Sequence, residues 1–281
     1  MQTAGRLLLI FLLMSCAGPT ARGEPVGALE KSTCGWFREP IAFFSWRAMA
    51  RSVPVAPILN KERIDTVAFT TKDGRVLSGY RVRPKGSIGD RARGYVLLAQ
   101  GNAMLARHGL DFLDKLGAPG LDGYIFDYRG YGRSEGKSRF AALLSDYREL
   151  IIHLNGLGYE RAVLYGMSLG GIIMTNAIGA GVRYDLAVLD SPSARVRSFG
   201  CPAAFDPVEN LPEDASRIMV VRGGRDRVVW PRWSKPLADR VQIRGGTTHF
   251  REDFGHLMMD GRDQDRAALF HAFLARAPET P

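Results

Sequence analysis

The chain has 281 residues, a net charge of +9 and 46% apolar residues, enough for one large core and within the range of a single α/β domain. The positive charge is spread along the chain, and no helix-turn-helix or other nucleic-acid motif stands out. A solvated basic surface is therefore expected, with no nucleic-acid partner and only a general attraction to anionic lipid or polysaccharide. There is no internal repeat and no low-complexity segment. No Cys/His cluster has metal-ligand spacing, so no metal and no cofactor is expected.

Residues 1–23 read as an export signal rather than as part of the fold. Arg6 gives a positive start, and Leu7 to Met14 is an unbroken apolar run, too short for the ~20 residues that span a bilayer. Leu13-Met14-Ser15-Cys16 resembles a bacterial lipobox. That resemblance implies a lipid on Cys16, and Ala17 after it implies sorting to the outer membrane, facing the periplasm. Ordinary cleavage near Ala21-Arg22-Gly23 is the alternative. No other stretch is apolar enough to cross a membrane, so the lipid on Cys16 would be the firm membrane anchor. Cys34 and Cys201 then remain. An oxidising compartment permits a disulfide between them, but two buried thiols fit the sequence equally.

Residues 24–62 form an N-terminal extension before the main domain, 63–281. Ile41-Ala42-Phe43-Phe44-Ser45-Trp46 is markedly aromatic. It fits an extra helix packed on the domain or a segment dipping into lipid, and packing is expected. Val53-Pro54-Val55-Ala56-Pro57 reads as an extended connector. Thr66–Thr71 and Val76–Val82 alternate about the turn residues 72–75 and predict an antiparallel hairpin, closed by Arg83-Pro84-Lys85-Gly86.

Beyond the hairpin the pattern becomes strand, helix, strand, helix. Tyr95–Ala99 is a fully apolar run, as a buried parallel strand requires. Leu105–Leu116 is amphipathic, 123–127 is a strand, and Phe140–Leu154 keeps the helical period. Val163–Tyr165, Leu186–Asp190, Ile218–Arg222 and the short Val241-Gln242-Ile243 are further strands, and Asp265–Leu274 is the closing helix. This alternation predicts an α/β fold with a mostly parallel central sheet and helices on both faces. Ligands of such sheets sit beyond the carboxyl ends of the strands.

Residues at those ends include Ser168, inside Gly166-Met167-Ser168-Leu169-Gly170. Strand, sharp glycine turn and helix around a serine describe a nucleophile elbow. The pentapeptide alone also fits a plain turn whose serine is a cap. Asp226 follows a later strand in Gly223-Gly224-Arg225-Asp226, and His249 and His256 follow the last. A serine hydroxyl needs a base, and the base needs a carboxylate to fix its tautomer. Asp190 also ends a strand, but the Gly-Gly-Arg-Asp turn favours Asp226. Gly255-His256 followed by an apolar segment favours His256 as the base, with His249 as the alternate. His108, His153 and His271 fall on predicted helices and are set aside.

From Tyr95 onward the chain resembles the α/β-hydrolase superfamily, in the branch of small-cap esterases, thioesterases and serine aminopeptidase-like proteins. The resemblance is carried by Gln100-Gly101-Asn102-Ala103, the run from Asp127 to Ser134, the Ser168 pentapeptide with Gly171, and Gly224-Arg225-Asp226. It departs at Gln100, where the family usually has His. It implies backbone N–H groups of Leu169 and Asn102 as the oxyanion hole, and structural roles for Asp127 and Arg129. Only Ser191 to Arg217 separates two core strands where a large lid would lie, so the cap should be small. The expected activity is hydrolysis of small-molecule carboxylic esters or thioesters through an acyl-enzyme on Ser168. Amide cleavage by the same triad and a non-catalytic envelope protein are the alternatives.

Overall fold

The computed structural model describes residues 25–54, 61–84 and 92–276. The segment expected to be an export signal, Cys16 within it, the carboxyl half of the 53–57 connector and Lys85-Gly86 lie outside the described residues. Eight strands form one sheet in the order β1-β2-β4-β3-β5-β6-β7-β8. β1 (Ile64–Thr70) and β2 (Val76–Val82) are the predicted hairpin, and β2 joins β4 (Leu121–Phe126) antiparallel. The remaining pairings are parallel: β3 (Gly94–Ala99) with β4 and β5 (Arg161–Met167), then β6 (Leu186–Asp190), β7 (Ile218–Gly223) and β8 (Thr247–Arg251).

The side-chain period of a strand divides the core into two layers. Tyr95, Leu97 and Ala99 of β3 face the layer that holds α3 (Phe140–Gly156), α4 (Leu169–Gly179) and α5 (Pro231–Ile243). Val96 and Leu98 face the layer that holds α2 (Leu110–Leu116) and α6 (Asp263–Arg276). Every residue of β3 and β4 is buried, which explains why Tyr95–Ala99 reads as a continuous apolar run.

Three expectations need correction. Val241-Gln242-Ile243 is the last turn of α5, not a strand; Val241 is fully buried on the helix's core side while Ile243 is exposed. The last strand is instead β8, so His249 lies inside it, opposite Val221, rather than after it. The 105–116 segment is also divided, into a 3-10 turn at Ala106–Gly109 and the short helix α2.

The N-terminal extension carries α1 (Arg38–Ser52). Phe43 and Ala50 enter the α3/α4 layer and Trp46 packs against it. Glu39 is buried, and its carboxylate accepts N–H groups of Cys34 (2.8 Å) and Phe140 (2.5 Å). Cys34 is disulfide-bonded to Cys201, which ties the extension to the segment between β6 and β7. That segment makes only short 3-10 turns, at Arg197–Phe199, Ala203–Phe205 and Pro207–Glu209. No large lid stands there.

Candidate active site

Ser168 sits between β5 and α4 with φ 52° and ψ −110°, a conformation that costs an L residue energy and persists only where packing enforces it. The enforcing contacts are backbone ones. A Cβ on Gly166 would stand 2.6 Å from the Gly170 carbonyl oxygen, and one on Gly170 would stand 2.0 Å from that of Ala99. Only glycine lets α4 lie this close to β3 and β5. The Ser168 N–H donates to the Asp190 carbonyl (2.8 Å). Leu169 is the first residue of α4, where N–H groups have no partner within the helix and point outward from its positive end.

Asp226 follows β7 and is 2% exposed. Its Oδ1 accepts the N–H groups of Val228 (2.9 Å) and Val229 (2.8 Å). Its Oδ2 lies 2.8 Å from Nδ1 of His256. With the carboxylate ionised, Nδ1 carries the proton and Nε2 keeps a free lone pair, the tautomer a general base requires. Asp190, the rival acid, is fully buried and otherwise engaged. It accepts from Arg266 Nε (3.0 Å), Tyr165 Oη (3.0 Å) and Ser191 Oγ (2.8 Å). Burial raises its pKa, against the pull of Arg266.

Ser168 and His256 line one cavity of about 770 Å³. Gly101 and Asn102 share its wall, and a Cβ on Gly101 would be 4.0 Å from that of Ser168. The Gln100 amide holds this loop, with Nε2 donating to the Phe126 carbonyl (2.9 Å), while the Asn102 carbonyl accepts from Tyr131 Oη (2.8 Å). Gln thus supplies an anchor at the family's usual His position. His249 is not part of the cavity wall; burial lowers its pKa, helped by Arg276 and Arg251.

Two further residues stand near the site, His108, which the sequence reading set aside, and Arg266, which it did not consider. His108 lines the cavity, and its Nδ1 accepts the Leu105 N–H (3.0 Å); burial lowers its pKa. Arg266 of α6 is 1% exposed and braces the His256 loop. It donates to the Gly255 carbonyl (3.0 Å) and to both Asp260 oxygens (2.9 and 2.8 Å), and Asp260 in turn accepts the Gly255 N–H (2.8 Å). No sequence pattern flags a helix arginine of this kind.

Asp127 and Arg129 are scaffold. Asp127 accepts the Ala106 N–H (2.7 Å), and burial raises its pKa. Arg129, fully buried, donates to Asp73 (2.6 and 2.7 Å) and to Asp146 (3.0 Å).

The strand order and the turns at its carboxyl ends define an α/β-hydrolase fold. Residues 90–204 match the model of the family described as serine aminopeptidase. The chain is 34% identical over 142 residues to a monoacylglycerol lipase of Mycolicibacterium smegmatis, covering 44% of this chain and 50% of that protein. It is 32% identical over 135 residues to the uncharacterized protein YfhR of Escherichia coli, covering 46% and 48%. The chain thus spans about half the length of these curated relatives. Among solved structures, an esterase from Pyrococcus furiosus superposes with a TM-score of 0.62 at 18% identity, over 80% of this chain and 97% of that one. An α/β serine hydrolase without lid from Xanthomonas campestris gives 0.60 at 16%, over 82% and 100%. These likenesses speak for the fold.

Proposed function

We propose that the protein is a serine hydrolase that cleaves carboxylic esters or thioesters through an acyl-enzyme on Ser168. The observation that carries this reading is the contact of His256 with a buried, doubly anchored Asp226, with His256 and Ser168 on the wall of one cavity. In the first half-reaction His256 Nε2 takes the proton of Ser168 Oγ as Oγ attacks the acyl carbon. The oxyanion that forms is received by the N–H groups of Leu169 and Asn102, which act where charge develops. Collapse breaks the bond to the leaving alcohol or thiol, which takes the proton back from His256. Water then attacks the acyl-enzyme with His256 again as base, releasing the acid and restoring Ser168.

The apolar part of the wall, Met104, Met167, Leu257, Met258 and Met259, supports an aliphatic acyl group, since unbranched Met side chains adapt to flexible chains. The names of the lipase relative and the esterase neighbour agree with ester substrates. Amide cleavage is the second reading, favoured by the name of the matched family. Hydrolysis of short p-nitrophenyl acyl esters, acyl thioesters and aminoacyl anilides by purified protein separates them. The proposal expects turnover of esters or thioesters that Ser168→Ala abolishes. Turnover of anilides alone would replace it by the second reading, and full ester turnover by Ser168→Ala would overturn both.

The same proposal takes the chain to be exported and lipidated on Cys16, placing it in the cell envelope. The Cys34–Cys201 bond supports an oxidising compartment.

A further inference from the structure

We propose that the outward face of α1 docks on the surface of an anionic phospholipid bilayer and brings the mouth of the Ser168 cavity to it. A helix that packs on a domain shows one apolar stripe and one polar face. α1 shows two apolar stripes. Phe43, Trp46 and Ala50 go to the core. On the opposite side Phe37, Ile41 and Phe44, at the i, i+4, i+7 spacing of a single stripe, are 47%, 60% and 66% exposed, and Trp36 just before the helix is 83% exposed. Core packing accounts for the first stripe, and no described residue covers the second.

The charge around the second stripe favours lipid over protein as its cover. α1 carries Arg38, Arg47 and Arg51 and a single acid, Glu39, whose carboxylate is buried against backbone N–H groups. Arg47 is half-buried and donates to the Gly130 carbonyl (3.3 Å), while Arg38 and Arg51 are exposed, so the helix presents these two cations outward with no exposed acid of its own. Beside Ile41 and Phe44 lies a second, shallower cavity of about 530 Å³, also lined by Arg47, Lys137 and Arg139. An apolar stripe rimmed by Arg and Lys, with Trp at its edge, matches the boundary between acyl chains and anionic headgroups. A second copy of this chain would bring like charges together instead.

The position of α1 gives the docking a consequence. Met49 and Ser52 in its last turns, with Val53 and Pro54 after it, form part of the wall of the Ser168 cavity. α1 has 15 residues, so its axis is about 22 Å long, and this one rigid element joins the docked first turns to the cavity wall. The substrate class that follows is an amphiphilic acyl ester drawn from the membrane surface. This last step rests on the hydrolase reading, whereas the docking itself does not.

The test is co-sedimentation of the full chain, carrying Cys16→Ser so that no acyl group contributes, with vesicles of phosphatidylglycerol and phosphatidylethanolamine or of phosphatidylcholine alone. Binding to the anionic vesicles is expected to exceed binding to phosphatidylcholine and to weaken with salt. The triple variant Phe37→Ser/Ile41→Ser/Phe44→Ser should lower the partition constant at least about tenfold. Arg38→Glu/Arg51→Glu, which alters no packed side chain, should do the same by charge alone. Both variants should keep turnover of a water-soluble short ester and lose turnover of a long-chain monoacyl ester dispersed in the vesicles. Vesicle binding equal to wild type in both variants would overturn the proposal, as would a wild-type dimer in solution that the serine variant dissociates. Vesicle binding by a protein that hydrolyses no ester would support the docking and overturn the catalytic reading separately.

Discussion

Replacing Arg266 by Met removes the guanidinium that joins Asp190 to the His256 loop. Asp190 is left fully buried, with Tyr165 and Ser191 but no cation, while Asp260 and the Gly255 carbonyl each lose their Arg266 donors. Breaking a buried ion pair from one side costs about 3–5 kcal/mol. In a domain of this size each kcal/mol moves Tm by about 2–4 °C, so a fall of roughly 10 °C is expected. The sign of the pH dependence is set by Asp190. Its folded-state pKa is already raised by burial and is opposed by Arg266; without the arginine it rises further. A carboxyl with a raised pKa is destabilising when ionised, so the variant's deficit should be largest near neutral pH. It should shrink as the pH falls toward the ordinary carboxylate range. Asp190→Asn added to Arg266→Met should recover about 1–2 kcal/mol, because the unpaired charge is then gone. The looser His256 loop should lower kcat by about tenfold to hundredfold, with KM for a small ester little changed. The assays are urea unfolding at several pH values and ester kinetics. A single variant within about 0.5 kcal/mol of wild type, with a double variant no more stable than the single, would refute the reasoning.

Further outcomes follow from other contacts. Gly170→Ala should fail to give folded protein or lose ester turnover, because the added methyl meets the Ala99 carbonyl oxygen at 2.0 Å; a soluble, fully active variant would contradict the packing account, and circular dichroism with ester assay decides. Cys34→Ser/Cys201→Ser should lower unfolding stability by about 2–4 kcal/mol, the usual worth of a bridge closing a long loop, and reductant should reproduce the loss in wild type but not in the variant. Burial opposes ionisation of Asp73, but hydrogen bonds from Arg129 and Thr71 outweigh it and hold the carboxyl below its ordinary range. That contribution is present above the ordinary carboxylate range and is lost as the pH falls through the depressed value. Asp73→Asn should therefore be destabilised at neutral pH, with a deficit that narrows on acidification in thermal melts.

The parallel core was legible because β3, β5, β6 and β7 are buried on both faces and so read as unbroken apolar runs. The elbow was legible because Gly166 and Gly170 meet backbone atoms, which no other residue tolerates. β8 was not legible. Thr247-Thr248-His249-Phe250-Arg251 lies at the sheet edge, half-buried to exposed, so its composition carries little apolar signal, and the β-branched Val241 and Ile243 drew the assignment to a helix end. The two stripes of α1 are opposite faces of one aromatic run, and the local sequence does not say which of them a domain covers. Arg266, Asp260 and Asp190 meet only in three dimensions. The Cys34–Cys201 pairing, 167 residues apart, likewise depends on a distance that spacing does not encode.

The central claim is that Ser168 is a nucleophile activated by His256. Labelling by a fluorophosphonate tests it most directly, since the probe phosphonylates only an activated serine. Wild type and His249→Ala are expected to label, while Ser168→Ala and His256→Ala are not. Full labelling of Ser168→Ala, or loss of labelling confined to His249→Ala, would contradict the account.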